Sequence, residues 1–386
     1  MRCAIVHYWL LGMRGGEKVV EELCRILPRP DIFTLFYSPD RVSSFLSSHN
    51  VRASFLNPLK RHYRSCLPLA PIALEHFDLR EYDLVVSSES GPAKGVLTSS
   101  HTRHVCYCHT PMRYLWDLYP AYMHEWTRSR VKRTFLAPFT HYLRLWDALS
   151  AARVDKFIAN SRNVQTRIWR TYRRSSEVIY PPVAVERFYS LMPDDYYLIV
   201  SELVAYKRID DAVRCFTRTG RRLKIVGGGP EYSRLKRLSG TSIEFCGRVA
   251  DSELRHLYAR ARAVILPGEE DFGIVPVEAL ASGKPVIALE KGGVLETVPV
   301  SSPRAGFFYP EPGESHLEDA IKRFEKAEQH VRPADLRAHA SQFSREVFRH
   351  KISAALLGST TRETGIPDFD VARLPDQQTL KRSPWD

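Results

Sequence analysis

Short runs of apolar and β-branched residues recur along the chain and alternate with longer stretches of helical spacing. Continuous apolar runs of this kind predict strands buried on both faces, as in a parallel sheet covered by helices. In the first half they lie at residues 3–8, 32–36, 84–87, 105–108 and 157–159. A second series lies at residues 197–200, 223–226, 243–246, 263–266 and 286–289. The pattern therefore predicts an α/β chain with two doubly wound, Rossmann-like parallel sheets.

A stiff Pro181-Pro182 pair separates the two series and is well placed as an interdomain linker. We predict an N-terminal domain at residues 1–182, a second domain at 183–345, and a C-terminal helix with a polar tail at 346–386. Ligand loops lie at the carboxyl ends of parallel strands, so two such domains would place their loops around one interdomain cleft.

Composition and charge narrow the functional classes. The chain is 44% hydrophobic, and it has neither an apolar run of the ~18 residues that a membrane span needs nor a signal-peptide pattern. Its seven scattered cysteines are expected to be reduced thiols in the cytoplasm. The formal charge of +12 suits an anionic partner. Nucleic acid is not expected, because no nucleic-acid motif stands out.

One loop and the helix after it, in the second half, carry the strongest chemical signal. The backbone amides of Phe272, Gly273 and Ile274 are expected at the helix N-terminus, where the helix dipole favours an anion such as phosphate. Two carboxylates beside a phosphate would repel it. Glu270 and Glu278 are therefore expected to bind the hydroxyl groups of two sugars that flank a diphosphate. That is the shape of a nucleotide sugar.

Two glycine runs offer further phosphate sites. Gly15 and Gly16 follow the first strand and open a helix, so their amides can approach a phosphate closely, although a flexible turn is the alternative. Gly228 lies in a glycine run after another strand. Tyr232 stands where the third glycine of a dinucleotide fingerprint belongs, which disfavours nicotinamide binding.

Two cations and a histidine complete the candidates. Lys207 and Arg208 are expected at the cleft edge, where they would neutralise a leaving diphosphate; two solvated surface cations are the alternative. His109 ends a strand where a ligand-loop residue would lie, although a lone histidine is more often structural.

No metal site is expected. Cys106 and Cys108 beside His109 have no second pair at zinc spacing. Asp368-Phe369-Asp370 imitates a metal-binding D-x-D but lies in the polar tail, where chance explains it.

Two stretches combine basic and aromatic residues, as an anionic membrane interface requires. Residues 57–71 carry Lys60, Arg61, His62 and Arg64 without an acidic residue. Residues 112–150 carry aromatic and apolar side chains, namely Trp116, Tyr119, Tyr122, Trp126, Phe135, Phe139, Leu143 and Trp146. Burial of these rings inside the first domain is the alternative.

The Glu270-x7-Glu278 pair, with Phe272-Gly273 between, resembles the E-x7-E motif of retaining GT-B glycosyltransferases of the family 4 type. Further support comes from Gly15-Gly16, residues 107–117, residues 206–210, and Gly292-Gly293 with Glu296. The segment around His109 most resembles bacterial GDP-mannose-dependent mannosyltransferases of O-antigen and exopolysaccharide synthesis.

The resemblance implies a role for each candidate. Glu270 would hold the donor sugar beside the amides of Phe272 and Gly273, and Glu278 would hold the ribose. Lys207 would bind the diphosphate. The other domain would supply Gly16 to the phosphate and His109 to the sugar edge near the acceptor.

One position departs from the family pattern. Members commonly have an arginine five residues before the phosphate-binding lysine, and this chain has Glu202 there. Another cation, Arg208 or Arg248, is expected to replace it, unless the leaving group is handled differently.

The resemblance implies a cytoplasmic enzyme, peripheral at the inner face of the cytoplasmic membrane. It would transfer mannose from GDP-mannose to a lipid-linked saccharide, with retention and without a metal or other cofactor, in polysaccharide or lipopolysaccharide synthesis. Front-face attack is expected, in which the departing phosphate takes the acceptor proton and Glu270 is not a nucleophile. The alternatives are a nucleotide-sugar epimerase of the same architecture and a non-catalytic nucleotide-sugar or glycan-binding module.

Overall fold

Two parallel sheets organise the chain in a computed structural model that describes residues 1–126, 130–299 and 305–358. The 7-stranded sheet has the order β3-β2-β1-β4-β5-β6-β7, with β1 (Cys3–His7), β2 (Asp31–Thr34), β3 (Val51–Ala53), β4 (Leu84–Glu89), β5 (Arg103–Cys108), β6 (Lys156–Ala159) and β7 (Ser176–Val178). The 6-stranded sheet has the order β10-β9-β8-β11-β12-β13, with β8 (Tyr197–Val200), β9 (Leu223–Val226), β10 (Ile243–Gly247), β11 (Val264–Leu266), β12 (Val286–Leu289) and β13 (Gly306–Tyr309). The prediction of two doubly wound domains is confirmed.

Helices cover both faces of each sheet. Those of the first half are α1 (Gly15–Ile26), α2 (Ser44–Ser47), α3 (Ala70–Glu75), α4 (Tyr119–Trp126), α5 (Arg130–Ser150) and α6 (Arg162–Tyr172). Those of the second half are α7 (Ile209–Thr219), α8 (Tyr232–Leu238), α9 (Asp251–Arg260), α10 (Ile274–Ala281), α11 (Val294–Thr297), α12 (Glu314–Ala327), α13 (Pro333–Ala340) and α14 (Arg345–Leu357). Short 3₁₀ turns lie between them, including Asn57–His62 and Ala205–Lys207.

The apolar strand runs are buried on both faces. On β1, Ile5 packs in one core cluster with Val20 of α1, whereas Val6 packs in a second cluster with Leu74 of α3. Successive side chains of a strand point to opposite faces, so a continuous apolar run has to be covered twice. This double burial explains why the run pattern predicted the central strands.

Three edge strands were not predicted. The short strands β3 and β7 lie at the two edges of the first sheet, and β13 lies at an edge of the second. The sequences of β3 and β7 are Val-Arg-Ala and Ser-Glu-Val, and neither has a fully buried residue. Half-exposed strands of this kind leave no continuous apolar run in the sequence.

The chain crosses between the domains twice, at neighbouring positions. Val183 follows the Pro-Pro pair, and its amide donates to the Phe343 carbonyl at 2.9 Å. Helix α14 then returns to the first domain, where Phe348 and Ile352 join the core cluster of Ile5. The first domain is therefore completed by residues beyond the predicted boundary at 345. The predicted polar tail and its Asp368-Phe369-Asp370 triplet lie outside the described residues, apart from the end of α14 and Gly358.

Candidate functional site

The loop between β11 and α10 forms an anion site of backbone amides. Gly273 caps α10 in a left-handed conformation, with φ of 89°, and a Cβ there would meet the Pro276 ring at 2.8 Å. Only glycine fits this turn comfortably. Within the described part of the chain, nothing accepts a hydrogen bond from the amides of Phe272, Gly273 or Ile274. These donors at a helix N-terminus are free to bind a phosphate.

A lysine–glutamate pair lies beside this anion site. Lys207 ends the 3₁₀ turn after β8, and its Nζ is 2.5 Å from Oε1 of Glu270. The two side chains are 15% and 21% exposed, so solvent and ligand can reach both. Burial alone would lower the pKa of Lys207, but Glu270, Tyr206 and Asp271 together outweigh it and the pKa is raised. The ammonium group stays charged.

The second glutamate of the motif is buried on α10 and contacts both domains. Oε2 of Glu278 accepts a hydrogen bond from the Tyr258 hydroxyl at 2.9 Å. Oε1 is 3.8 Å from Nζ of Lys18, which lies on α1 of the first domain. Burial raises the pKa of Glu278, while Lys18 and Tyr258 act in the opposite direction. The cavity next to this pair is small, at about 40 Å³.

The first βα turn faces α10 across the cleft. A Cβ on Gly15 would lie 2.8 Å from Cδ1 of Ile274, so the two domains touch here. A Cβ on Gly16 would lie 3.2 Å from Cε1 of His7 and 3.6 Å from Nε2 of His109. Both glycines therefore allow close approach, one to the opposite domain and one to the histidines.

His109 lies on the first domain's side of the cleft. Its Nε2 is 2.9 Å from the Ser88 hydroxyl at the end of β4. Burial lowers the pKa of His109 to about 4, against the opposing effect of the Asp271 carboxylate. The imidazole is therefore neutral near pH 7 and can bind a sugar hydroxyl without adding charge.

Arginines of the first domain hold the loop that carries Glu270. Arg113 lies 3.0 Å from Oδ1 of Asp271, and Arg167 forms ion pairs with both Asp271 and Glu269. The Ser161 hydroxyl also donates to the Asp271 carbonyl at 2.7 Å. These contacts fix the loop between β11 and α10 against the first domain.

Glu296 supplies a second connection between the domains. Its carboxylate accepts hydrogen bonds from the amides of Arg162 at 2.7 Å and Asn163 at 2.8 Å, the first residues of α6. A carboxylate at a helix N-terminus is favoured by the helix dipole. Gly293 caps the helix that carries Glu296, α11, and its amide donates to the Glu270 carbonyl at 2.8 Å, which links this connection to the motif.

The remaining predicted cations separate into one paired and one unpaired arginine. Arg208 forms an ion pair with Asp211 at 2.9 Å. Arg248 is exposed, and its Nε is 3.9 Å from where a Cβ on Gly228 would lie. Among the described residues no carboxylate pairs with Arg248 or neutralises it. Glu202 is exposed just after β8, and its side chain makes no ion pair in this part of the chain.

The structure thus brings together most of the predicted site. Gly15, Gly16 and His109 of the first domain face a second set across the cleft, namely Lys207, Glu270, Phe272, Gly273, Ile274 and Glu278. Arg208, which follows Lys207 directly, is paired with Asp211. Sequence reasoning missed Lys18 and Arg167 as cleft residues and missed the ion pairs of Asp271, because the partners of all three lie in the other domain.

The described residues hold neither a metal-ligand cluster nor a membrane-spanning helix. No group of three or more His, Cys, Asp or Glu side chains there is arranged to hold a metal ion. In the same residues no helix combines the length and apolar character of a membrane span.

Comparisons with known proteins agree with this arrangement. Residues 13–187 match the family model Glycosyltransferase Family 4, and residues 188–347 match Glycosyl transferases group 1. The sucrose-phosphate synthase structure from Thermosynechococcus elongatus superposes with a TM-score of 0.69 at 16% identity, over 92% of this chain and 98% of that chain. Anabaena HepE in complex with UDP-glucose superposes with a TM-score of 0.67 at 18% identity, over 93% of this chain and 100% of that chain. At these identities the structures show the fold.

Three curated relatives are similar in sequence. An uncharacterized glycosyltransferase of Methanocaldococcus jannaschii is 28% identical over 37% of this chain and 42% of its own length. The alpha-1,3/1,6-mannosyltransferase ALG2 of Homo sapiens is 25% identical over 71% of this chain and 70% of its own. The O-antigen chain mannosyltransferase RfbU of Salmonella typhimurium is 30% identical over 38% and 45%. This chain therefore matches less than half the length of the archaeal and Salmonella proteins.

The two family models meet at residue 188, close to the first crossing between the domains. Together these two glycosyltransferase models match residues 13–347, and the chain is a glycosyltransferase with the two parallel-sheet domains of the GT-B fold.

Proposed function

We propose that this glycosyltransferase moves mannose from GDP-mannose to a lipid-linked saccharide with retention of configuration, in polysaccharide or lipopolysaccharide synthesis. The observation that carries the proposal is the Lys207–Glu270 pair beside the free amides of α10. A cation, a helix N-terminus and a carboxylate at one point match the diphosphate and hydroxyls of a nucleotide sugar.

In this reaction the bond between the anomeric carbon and the donor phosphate oxygen breaks. The acceptor hydroxyl forms the new bond on the same face, and its proton passes to the departing phosphate oxygen. Lys207 and the amides of Phe272 and Gly273 stabilise the charge on the leaving diphosphate. Arg248, exposed beside Gly228, is the cation that would take the place left by Glu202. No metal is assigned to this step.

Glu270 and His109 position the sugar in this proposal. Ion pairing with Lys207 holds the Glu270 carboxylate at the cleft, where it accepts hydrogen bonds from sugar hydroxyls. His109 contributes a neutral imidazole from the opposite wall. Glu278 binds the ribose, whose hydroxyls would replace Lys18 and Tyr258 as its partners.

Support for mannose comes from the names of two relatives, ALG2 and RfbU, which are both mannosyltransferases. HepE was solved in complex with UDP-glucose, so a protein of this fold can also bind a UDP-linked sugar. Thermal-shift titration with GDP and UDP separates the two bases. A ligand at about 100 times its Kd stabilises a protein by about 2.7 kcal/mol. GDP should shift the melting temperature at lower concentration than UDP, and the reverse order would contradict GDP-mannose as donor.

A transfer assay tests the reaction itself. The full chain is incubated with GDP- and UDP-sugars and a membrane lipid extract, and released nucleotide and lipid-bound label are measured. We expect label in the lipid fraction with GDP-mannose, and its loss in the Glu270→Gln variant. Release of an isomerised sugar nucleotide would indicate the epimerase instead, and absence of turnover with every donor would leave only a binding module.

We also propose that the enzyme binds the inner face of the cytoplasmic membrane through its first domain. Helix α5 buries Leu143 and Trp146 but exposes an apolar stripe of Phe135, Phe139, Tyr142, Leu145 and Leu149. Arg61 and Arg64 are exposed in residues 57–71 of the same domain. Exposed apolar and basic groups suit an anionic bilayer surface. The side chain of Trp126 lies outside the described residues.

The membrane proposal predicts that Phe139→Ser combined with Arg61→Gln weakens binding to vesicles of anionic lipid in a sedimentation assay. Arg41→Gln, an exposed arginine of the same domain, serves as the control. Equal binding of wild type, the double variant and the control would show that this surface does not contact the membrane.

A further inference from the structure

A second, larger pocket opens on the first domain's side of the cleft. Its volume is about 810 Å³, within the range of ligand pockets. Its wall includes Trp116, Asp117, Tyr119, Asn163, Arg170 and Glu269. None of these residues belongs to the donor site proposed above.

The pocket adjoins the reacting end of the proposed donor site. Glu269 precedes Glu270 directly, and Pro111 in the pocket wall lies two residues after His109. Arg167, also in the wall, donates to the Thr110 hydroxyl at 3.3 Å. A hydroxyl group held in this pocket would therefore lie near the donor sugar.

The aromatic, carboxylate and amide side chains of the wall have the chemistry of a saccharide site. The Trp116 indole is half-buried and held in place by a hydrogen bond from Nε1 to Oδ2 of Asp147, at 2.7 Å. A fixed aromatic ring offers an apolar surface to the C–H face of a sugar. Asp117, Asn163 and Glu269 offer the oxygens and the amide that bind sugar hydroxyls.

The three arginines of the wall differ in what they already bind. Arg144 donates to the Leu115 carbonyl at 2.7 Å and stacks over the Tyr119 ring at 4.3 Å. Arg167 is engaged with Glu269 and Asp271. Arg170, on α6, is exposed, and no carboxylate of the described residues pairs with it. Arg170 is therefore the cation left to bind an anionic group of a ligand.

We propose that this pocket binds the acceptor, with a saccharide ring on Trp116 and the phosphate or diphosphate attached to that saccharide on Arg170. The inference rests on the proposed transferase function and specifies its acceptor class, a phosphorylated saccharide. A planar guanidinium binds phosphate oxygens through two parallel hydrogen bonds, so Arg170 would select a charged acceptor over a neutral one.

The test compares wild type, Arg170→Gln, Arg170→Lys and the matched control Arg41→Gln as full-length proteins. GDP-mannose is the donor, and the acceptor is either the organic phase of a membrane extract or its aqueous phase. We expect Arg170→Gln to raise the acceptor KM about tenfold with kcat little changed, Arg170→Lys to recover part of the loss, and Arg41→Gln to match wild type. The thermal shift caused by GDP should be the same in all four proteins.

The two acceptor phases distinguish the sources of phosphate. Label in the organic phase identifies a lipid-linked phosphate, and label in the aqueous phase identifies a soluble sugar phosphate; both support the pocket assignment if Arg170→Gln raises that KM. An unchanged KM for Arg170→Gln, in a protein that transfers sugar, would overturn the pocket assignment alone. Failure of wild type to transfer sugar to either phase would overturn the transferase proposal and the assignment with it.

Discussion

Two lysine–carboxylate groups lie in different surroundings in this molecule, one in the core of the first domain and one at the cleft. In the core, Lys94 is completely buried between Glu89, at 3.2 Å, and Asp147, with which it also forms an ion pair. At the cleft, Lys207 has Glu270 as its ion-pair partner, and both side chains remain partly exposed. The first group is closed to ligands, whereas the second is open to them.

The same residue types serve different purposes in these two groups. The Trp116 and Tyr172 side chains donate to Asp147, so the core group is surrounded by protein partners. Burial raises the pKa of Glu89 to about 7, with Lys94 acting in the opposite direction. A buried charge group of this kind depends on every partner. The cleft group lies next to unused backbone amides, so a diphosphate can join it without displacing protein contacts of the amides.

The largest effect is expected from breaking the core group. Lys94→Met leaves Glu89 and Asp147 buried without their cation and should lower the free energy of unfolding by about 3–5 kcal/mol. Urea unfolding measures this change. Lys351→Met, on the exposed face of α14, is the control and should change stability by less than about 0.5 kcal/mol. A loss below about 1 kcal/mol for Lys94→Met would contradict the comparison.

Breaking the cleft group should affect turnover instead. Lys207→Gln removes the cation that we propose stabilises the leaving diphosphate and should lower kcat about 100- to 1000-fold. It should lower the urea midpoint less than Lys94→Met does, because Lys207 and Glu270 are partly exposed whereas Lys94 and Glu89 are completely buried. Initial rates with GDP-mannose measure the effect. Turnover above about a tenth of wild type would show that Lys207 does not stabilise the leaving group.

The pH dependence of two histidines gives a further comparison between the core and the cleft. His104 in the core and His109 at the cleft each lie 2.9 Å from a serine hydroxyl of β4, and burial lowers the pKa of each to about 4. In the unfolded chain a histidine takes up its proton near pH 6.5. Stability is therefore present above pH 6.5 and is lost as the pH falls towards 4.

For the fully buried His104 the loss between pH 6.5 and 5 should be about 2 kcal/mol, and for the more exposed His109 it should be smaller. His104→Gln and His109→Gln should each flatten the pH dependence of the urea midpoint. Only His109→Gln should also slow turnover at pH 7. An equal loss of turnover in both variants would mean that His109 acts through folding alone.

The smallest expected effect separates the two cleft arginines. Arg248→Gln should weaken GDP binding about tenfold, or about 1.4 kcal/mol, because Arg248 has no carboxylate partner among the described residues and lies beside Gly228. Arg208→Gln should change it less than about twofold, since Asp211 already binds Arg208. Thermal-shift titration measures both. The opposite order would assign the phosphate to Arg208.

The sequence was sufficient for the central strands and for the local parts of the site. Ile5 and Val6 are buried on opposite faces of β1, and burial on both faces requires a continuous run of apolar residues, which is visible in the sequence. Gly273 and the amides around it form one turn, which neighbouring residues determine. Such features depend on a few consecutive residues, so a local pattern reveals them.

Contacts across the cleft were beyond a local pattern. Lys18 reaches Glu278, and Arg167 reaches Asp271, only because two separately folded sheets face each other. Lys207 and Glu270 were assigned separate partners, whereas the structure pairs them with each other. The packing of α14 against the first domain could not be predicted either, because the pattern of an amphipathic helix does not specify which domain it packs on.

The return of α14 also orders events during synthesis. The first domain's core includes Phe348, Ile352 and Leu356, which leave the ribosome only after the whole second domain has been made. Domains generally fold as units from the N-terminal side. Here part of the apolar surface of the first sheet stays uncovered until α14 has been synthesised. The core clusters of the second sheet end at Phe343, so the second domain can fold first.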